Sequence, residues 1–323
     1  MIDGTGRNID YIRISITDRC NLRCVYCMPE TGVQMTSHKE ILTFDEIIRL
    51  CGIFASLGIK KIKLTGGEPL CRIGVDDLVR DLKAVQGVEQ VTLTTNAVEL
   101  DEHLLPLYEA GVDAINISID TADPALYKRL TRRDKFDEVM ANIKMAAEFG
   151  KIPLKINCVP MTAEQKLYDV AEFARNYNIH VRFIEMMPIG FGKEFSFISR
   201  DAIIELLEER FGSLTAADVS LGNGPAEYYS IPGFKGKIGF ISAVSHKFCQ
   251  TCNRIRMTAE GYLKTCLQYD SGVDLKACLR AGGTDAELKE LIANAINEKP
   301  LAHHFGDEGD GGSETKIMSQ IGG

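Results

Sequence analysis

The sequence predicts an α/β protein: a curved, mainly parallel sheet built from six βα units, followed by a smaller C-terminal domain of different texture. Three observations carry this reading. Short β-rich runs alternate with amphipathic helical stretches over residues 10–187, the pattern of parallel strands joined by right-handed crossovers. Within the strands, apolar residues alternate with polar and charged ones at period two. Beyond about residue 218 the alternation stops, and residues 222–265 become rich in Gly, Pro and aromatics.

The predicted strands are 11–17, 59–65, 89–95, 113–120, 153–159 and 180–186. Six units fall short of the eight of an ordinary closed barrel. In the first strand Ile12, Ile14 and Ile16 oppose Arg13, Ser15 and Thr17. Ile62 and Leu64 oppose Lys61, Lys63 and Thr65, while Ile115, Ile117 and Ile119 oppose Asn116, Ser118 and Asp120. Lys155 and Asn157 alternate with Leu154 and Ile156, and Arg182 stands between Val181 and Phe183. A parallel sheet covered by helices on both faces reads as nearly continuous apolar strands, and these do not. The alternation therefore predicts helices on the outer face only and a polar concave face able to hold a polar ligand. FDEIIRLCGIFASLG and YDVAEFARNYN read as two of the covering helices, DAIIELLEERFG as another before the change of texture, and ELKELIANAINEK as a late one. The change is placed at 215–225, giving domains 1–218 and 219–323, with short strands at EYYSI and KIGFI and a flexible stretch at 306–315.

The 323 residues suffice for one large core with an appended domain. No apolar run reaches membrane-spanning length, and the first ten residues lack the basic and apolar segments of a signal peptide, so a cytoplasmic protein is expected. A net charge of −8 argues against a general nucleic-acid binder. An anionic small substrate would need cations gathered locally.

In a reducing compartment ten cysteines read as metal ligands before disulfides. Cys20, Cys24 and Cys27 form C-x3-C-x2-C in the loop after the first strand. Three thiolates on one short loop can ligate three irons of a cubane and leave the fourth open to chemistry. Zinc would want a fourth ligand in a paired spacing, and none lies nearby in the sequence. Cys249, Cys252 and Cys266 form C-x2-C-x13-C; with Cys278 they could equally make a zinc site, and spacing alone leaves the two readings even. Cys51 and Cys158 read as small core residues, and Cys71 is isolated.

CNLRCVYC, with an aromatic before the third cysteine, resembles the signature of the radical S-adenosylmethionine (SAM) superfamily, and TGGEP (65–69) is similar to its methionine-binding motif. Within the superfamily the chain resembles the GTP 3′,8-cyclase family of molybdenum cofactor synthesis from residue 6 to its end, through KIKLTGGEPL, LTTN, INISID, RFIEMMPIG, FCQTCNRIR and the terminal Gly322-Gly323. The resemblance implies a partial (β/α)6 TIM-like barrel whose C-terminal domain carries an auxiliary cluster. The cofactors would be two [4Fe-4S] clusters, on Cys20, Cys24 and Cys27 and on Cys249, Cys252 and Cys266, together with SAM; Cys278 is left outside.

By the same resemblance, SAM held at the first cluster is cleaved by one electron to a 5′-deoxyadenosyl radical, which takes the 3′ hydrogen of GTP. The ribose radical then attacks C8, giving 3′,8-cyclo-7,8-dihydro-GTP. Tyr26, Gly67, Ser118 and Met187 align with SAM contacts, although strand parity does not set Met187 beside Arg182. Arg13, Lys63, Thr94, Lys155, Arg254 and Arg256 align with GTP contacts, and Arg182 joins them because it shares the polar face. Arg13, the first cysteines, Gly322 and Gly323 are the expected catalytic group, the Gly-Gly tail reaching into the site. Lys63 stands where the family more often has Arg, Ala97 where Gly is usual, and Cys71 where a non-thiol is usual. Implied partners are GTP and an external electron donor, with neither membrane nor nucleic acid; a homodimer and hand-off to the next pathway enzyme, cyclic pyranopterin monophosphate synthase, are compatible. The competing readings are another radical SAM enzyme with an auxiliary cluster, such as a peptide maturase, and a zinc-stabilised nucleotide-binding module.

Overall fold

The computed structural model describes residues 1–34, 36–305 and 314–322. The core of the expected flexible stretch, 306–313, and Gly323 lie outside the described residues. Strands and helices alternate through the first two thirds of the chain: β1 (Tyr11–Ser15), α1 (Phe44–Ser56), β2 (Lys61–Thr65), α2 (Val75–Ala84), β3 (Gln90–Thr95), α3 (Leu100–Glu109), β4 (Ala114–Ser118), α4 (Pro124–Thr131), α5 (Phe136–Phe149), β5 (Leu154–Cys158), α6 (Leu167–Asn176), β6 (Ile179–Ile184) and α7 (Arg200–Phe211). After these come β7 (Thr215–Ala217), β8 (Glu227–Ser230), β9 (Ile238–Ile241), β10 (Arg254–Met257), β11 (Tyr262–Lys264), β12 (Gly272–Asp274), α8 (Leu275–Arg280), α9 (Asp285–Asn297) and α10 (Met318–Ile321). The strands are shorter than the alternation suggests because the chain leaves the sheet at both ends to build loops.

Among the described residues all twelve strands form one sheet in the order β12-β11-β10-β1-β2-β3-β4-β5-β6-β9-β8-β7. The sequence supplies six parallel strands, and the later part of the chain supplies two more: β10 pairs parallel with β1 and β9 parallel with β6. Eight parallel strands therefore stand side by side, flanked by antiparallel hairpins. The residues after the predicted boundary thus add strands to both edges of the first sheet.

The apolar half of each strand packs outward under the helices. Ile12, Ile14, Ile62, Leu64, Val91, Leu93, Ile115, Ile117, Ile156 and Val181 are all at most 1% exposed and share one core with α1, α2, α5 and α6. Cys51 and Cys158 belong to that core, as their apolar neighbours imply. Helix starts follow local chemistry. Thr43 and Glu46 form a reciprocal capping box on α1, Thr284 and Glu287 form another on α9, and Asp123 and Ser199 cap α4 and α7. Among the described residues no helix is long and apolar enough to cross a membrane.

The β6–β9 seam depends on a missing side chain. Gly236 donates its N–H to Ala174 O at 2.8 Å, and a Cβ at this position would lie 1.8 Å from Ile179 O. Since the obstacle is backbone, it cannot rotate away. Gly236→Ala is expected to destabilise the protein by roughly 2–3 kcal/mol, read as a lower urea midpoint at unchanged slope; an unchanged midpoint would show that the seam is pliable.

Candidate active site

The first thiol trio lies on the loop that leaves β1. Local hydrogen bonds shape this loop: Cys27 N and Met28 N both donate to Cys24 O, at 2.9 and 3.1 Å, and Val25 N donates to Leu130 O at 2.9 Å. Arg132 bridges its two ends, with Nη1 on Arg23 O and Met28 O at 3.3 and 3.1 Å. The loop crosses directly over Gly66-Gly67. Gly67 N donates to Thr17 O and Glu68 N to Arg19 O, both at 2.7 Å, and a Cβ on Gly67 would stand 2.3 Å from Arg19 O. Glu68 ties this crossing to β3 by accepting from Leu70 N, Thr95 Oγ1 and Asn96 N. Burial raises its carboxyl to about 7 in spite of those bonds.

The surroundings fit an electron-rich cluster. Asn21 Nδ2, Arg23 Nε, Tyr127 Oη and Ser319 Oγ are buried without a hydrogen-bond partner. Two of them sit on the loop itself, and each carries hydrogen to donate. Leu22 N donates to Cys20 Sγ at 3.4 Å, and the backbone N–H of Ser319 acts to lower the Cys27 thiol. Among the described residues no three His, Cys, Asp or Glu side chains converge on one metal ion; a cubane asks instead for thiolates spread over separate irons. Burial pushes Cys20 up to about 11 and Cys27 to about 12, and holds Cys24 well above its ordinary value. Ligation by these groups therefore displaces protons.

The second trio is held by an N-terminal arginine. Arg7 is ion-paired with Asp3 at 2.7 Å, both side chains buried. It donates to the carbonyls of Cys249, Lys299, Pro300 and Leu301 at 2.8–3.2 Å. Lys299 Nζ donates to Arg254 O at 2.9 Å and also to Thr265 O. Burial acts to raise the Cys252 thiol, but the Lys299 and Arg254 cations with a backbone hydrogen bond from Arg254 more than reverse it, so this thiol lies below its ordinary value. All six cysteines, Cys20, Cys24, Cys27, Cys249, Cys252 and Cys266, line a single cavity on the concave side of the sheet. Cys278 is elsewhere, on α8 against Gly283. Cys71 is half-buried beyond β2, its thiol held up by burial and then by Glu99.

Between the two trios the inward half of the strands gathers positive charge. Register sets Arg13 beside Lys63 on one side and Arg256 on the other, and Asn157 beside Arg182. Lys63, Lys155, Arg182 and Arg256 are 7–9% exposed. Among the described residues none of these four, nor Arg254, has a carboxylate within ion-pair distance. Arg182 instead donates to Asn157 Oδ1 at 2.6 and 3.0 Å, and Arg254 lies 4.8 Å over the Phe248 ring. Burial, then the Arg13, Arg182 and Lys155 charges, pushes Lys63 well below its usual value. Burial, then Arg182, brings Lys155 down to about 8, and burial with Lys155 and Arg182 brings His180 to about 4. An uncompensated buried charge costs several kcal/mol, and four together, with half-buried Arg254 beside them, make a site that asks for an anion.

The structure brings the expected residues together in two groups. Arg13, Tyr26, Gly67, Thr94, Ser118, Met187, Arg254 and Arg256 line the cavity. Lys63, Lys155 and Arg182 are buried close to them on the same strand face, within electrostatic reach of one another. Met187 reaches the cavity although parity opposes it, because β6 ends at Ile184 and the chain beyond is free of the pleat. Gly322 is also present, its carbonyl accepting from Arg256 Nη1 at 2.6 Å. Sequence reasoning missed several residues. Asn157 lines the cavity and was visible on the polar face. Asp120 accepts from Tyr26 Oη at 2.9 Å. The loop after β7 covers Lys155, since a Cβ on Gly222 would lie 3.3 Å from its Nζ, and Asn223 bonds Gln90. Neither this loop nor Arg7 carries a signal that periodicity could reveal.

Fold and site together define a radical SAM enzyme: the family described as Radical SAM superfamily matches residues 14–187, more than half of the chain, and membership carries SAM and an iron–sulfur cluster with it. The family described as Molybdenum Cofactor Synthesis C matches residues 179–305. The chain is 42% identical over 328 residues to the GTP 3′,8-cyclase of Desulforamulus reducens and 44% identical over 328 residues to that of Syntrophomonas wolfei, each alignment covering 100% of both chains. It belongs to the GTP 3′,8-cyclase family. In fold it is similar to Streptococcus suis SuiB bound to S-adenosylmethionine, with a TM-score of 0.60 at 14% identity, covering 91% of this chain and 68% of the other.

Because the Gly67 contact is with backbone of the cysteine loop, Gly67→Ala is expected to displace that loop. Affinity for SAM should fall at least about tenfold, a loss of roughly 1.4 kcal/mol, with the iron held by the second trio unchanged. Wild-type affinity measured by anaerobic equilibrium dialysis would show that the crossing tolerates a methyl group.

Proposed function

We propose that this chain is a GTP 3′,8-cyclase, converting GTP to 3′,8-cyclo-7,8-dihydro-GTP by SAM-initiated radical chemistry in the first step of molybdenum cofactor synthesis. The observation that carries the reading is one cavity with a thiol trio at each end of the paired strands β1 and β10 and a carboxylate-free cluster of cations along the strands between them. A radical-generating end and a polyanion-binding end share one volume.

The cluster and SAM, when bound, supply the radical; the protein's residues position and shield it. Cys20, Cys24 and Cys27 would hold the first cluster, and Cys249, Cys252 and Cys266 the second, whose open iron would take the guanine. The backbone at Gly67 allows SAM to approach closely. Tyr26, held by Asp120, and Ser118 and Met187 would complete the SAM wall. Arg13, Lys63, Thr94, Lys155, Arg182, Arg254 and Arg256 would take the nucleotide; arginines clamp phosphate oxygens bidentately and lysines act as point charges. The triphosphate entering this cluster would replace the hydration the cations have lost. Gly322 and Gly323 would close the site as part of the catalytic group. Residues 1–218 and 219–323 act as the SAM and auxiliary-cluster parts, a division supported by the cysteine distribution. A cytosolic location is supported by ten cysteines all free. The peptide-maturase alternative is not favoured, since the relatives that match along the whole chain share the cyclase name.

The direct test is anaerobic turnover of reconstituted protein with GTP, SAM and a strong reductant. About eight irons per chain, release of 5′-deoxyadenosine and consumption of GTP are expected; fully reconstituted protein that yields neither product refutes the reading.

A pH dependence follows from Lys155. A bound triphosphate favours the charged amine, so binding takes up a proton wherever the free protein has lost it. With the free amine at about 8, GTP affinity is expected to be flat below that pH and to fall above it, by up to about tenfold per pH unit for each linked proton. Calorimetry in two buffers of different ionisation enthalpy at pH 8.5 should register proton uptake, and proton release there would contradict the assignment.

A further inference from the structure

The segment 314–322 is anchored within the cavity wall at several points. Glu314 forms a buried ion pair with Lys264. Ile321 is fully buried with Ile189 and Phe305, and Met187 and Met318 pack against that group. Gly322 adopts φ +75°, where a Cβ would come within 2.9 Å of Thr65 Oγ1 and 3.0 Å of Ser15 Cβ, at the ends of β2 and β1. Its carbonyl is fixed by Arg256. Three residues earlier, Ser319 lines the cavity with Cys27 and is 2% exposed. Its backbone N–H acts to favour the Cys27 thiolate, and its hydroxyl has no partner in the protein.

We propose that Ser319 is a positioning residue for the first cluster: its N–H is donated to the Cys27 thiolate, its hydroxyl to the anionic group that the trio carries, and the Arg256–Gly322 hydrogen bond keeps both in place. The inference rests on the cluster reading above and goes beyond it, because it assigns the C-terminal segment to the wall of the electron-accepting end as well as to the substrate. An electron entering from the external reductant adds negative charge to the cluster, and donors to its sulfurs favour that reduced state. Arg256 thereby serves two ends of the cavity: it belongs to the cation cluster and it seats the segment that makes the first cluster easier to reduce.

The test is an EPR-monitored redox titration of the reconstituted full chain without GTP, the first cluster being the one whose spectrum changes on adding SAM. Ser319→Pro removes the N–H within the first turn of α10, where proline is tolerated. Ser319→Ala removes only the hydroxyl. At a fixed potential, the ratio of reduced to oxidised first cluster is expected to fall about fivefold in each, the effect of one hydrogen bond, with the second cluster unchanged. Arg256→Ala should shift the first cluster in the same direction. A shift in one Ser319 variant alone keeps that donor and overturns the other. Unchanged ratios in both, at full iron content, overturn the proposal; if Ser319→Pro fails to take up iron, Ser319→Ala and Arg256→Ala decide. Wild-type protein that forms no reducible first cluster would instead overturn the functional reading.

Discussion

Positive charge buried without carboxylates is the constraint on which this structure depends. Lys63, Lys155, Arg182 and Arg256 are buried on the sheet's concave face with half-buried Arg254 beside them, and burial, followed by their mutual repulsion, depresses their ionisation. Nothing in folding alone recommends such an arrangement, for each cation gives up hydration that no carboxylate returns. The outer half of each strand supplies the compensation. The same period of two that turns these side chains inward turns an unbroken set of Ile, Val and Leu outward beneath the helices. Under the proposed function the substrate's phosphates complete the charge balance that the fold leaves open.

The two thiol-bearing ends are joined to this floor by backbone contacts more than by side-chain packing. Gly66 and Gly67 let the first loop rest on the end of β2, and Arg7 gathers four carbonyls so that the second loop and the 299–301 stretch move as one. Arg7 can do so because Asp3 neutralises it in the same buried position. Removing either partner would leave a buried charge alone, which typically costs several kcal/mol. The C-terminal segment adds the last wall. Its Lys264–Glu314 pair, Ile321 cluster and Gly322 seat are separate anchors, each using a different kind of force.

Much of the site was legible because a strand's parity is a geometric rule. Arg13, Lys63, Ser118, Lys155 and Arg182 could each be assigned to the polar face from alternation alone. Arg254 and Arg256 could not: their partner strand lies some 240 residues away in the chain, as the Arg13–Arg256 register shows, and only pairing sets them beside β1. Met187 is the converse case, since a parity argument fails once the strand has ended. Cys278 illustrates the weakness of spacing. Its distance from Cys266 suits a ligand, yet α8 carries it to another part of the molecule.

The sequence by itself determined the chemistry available and the local geometry. These are the cysteine triplets, the alternating strands, the helix caps and the glycines at points of close approach, all set by neighbours a few bonds apart. Tertiary structure alone decided that both triplets face one cavity, that β9 and β10 extend the same parallel row, and that the segment before the terminus reaches Cys27 and Arg256. Those outcomes depend on which distant surfaces bury each other, and no local period encodes such a choice.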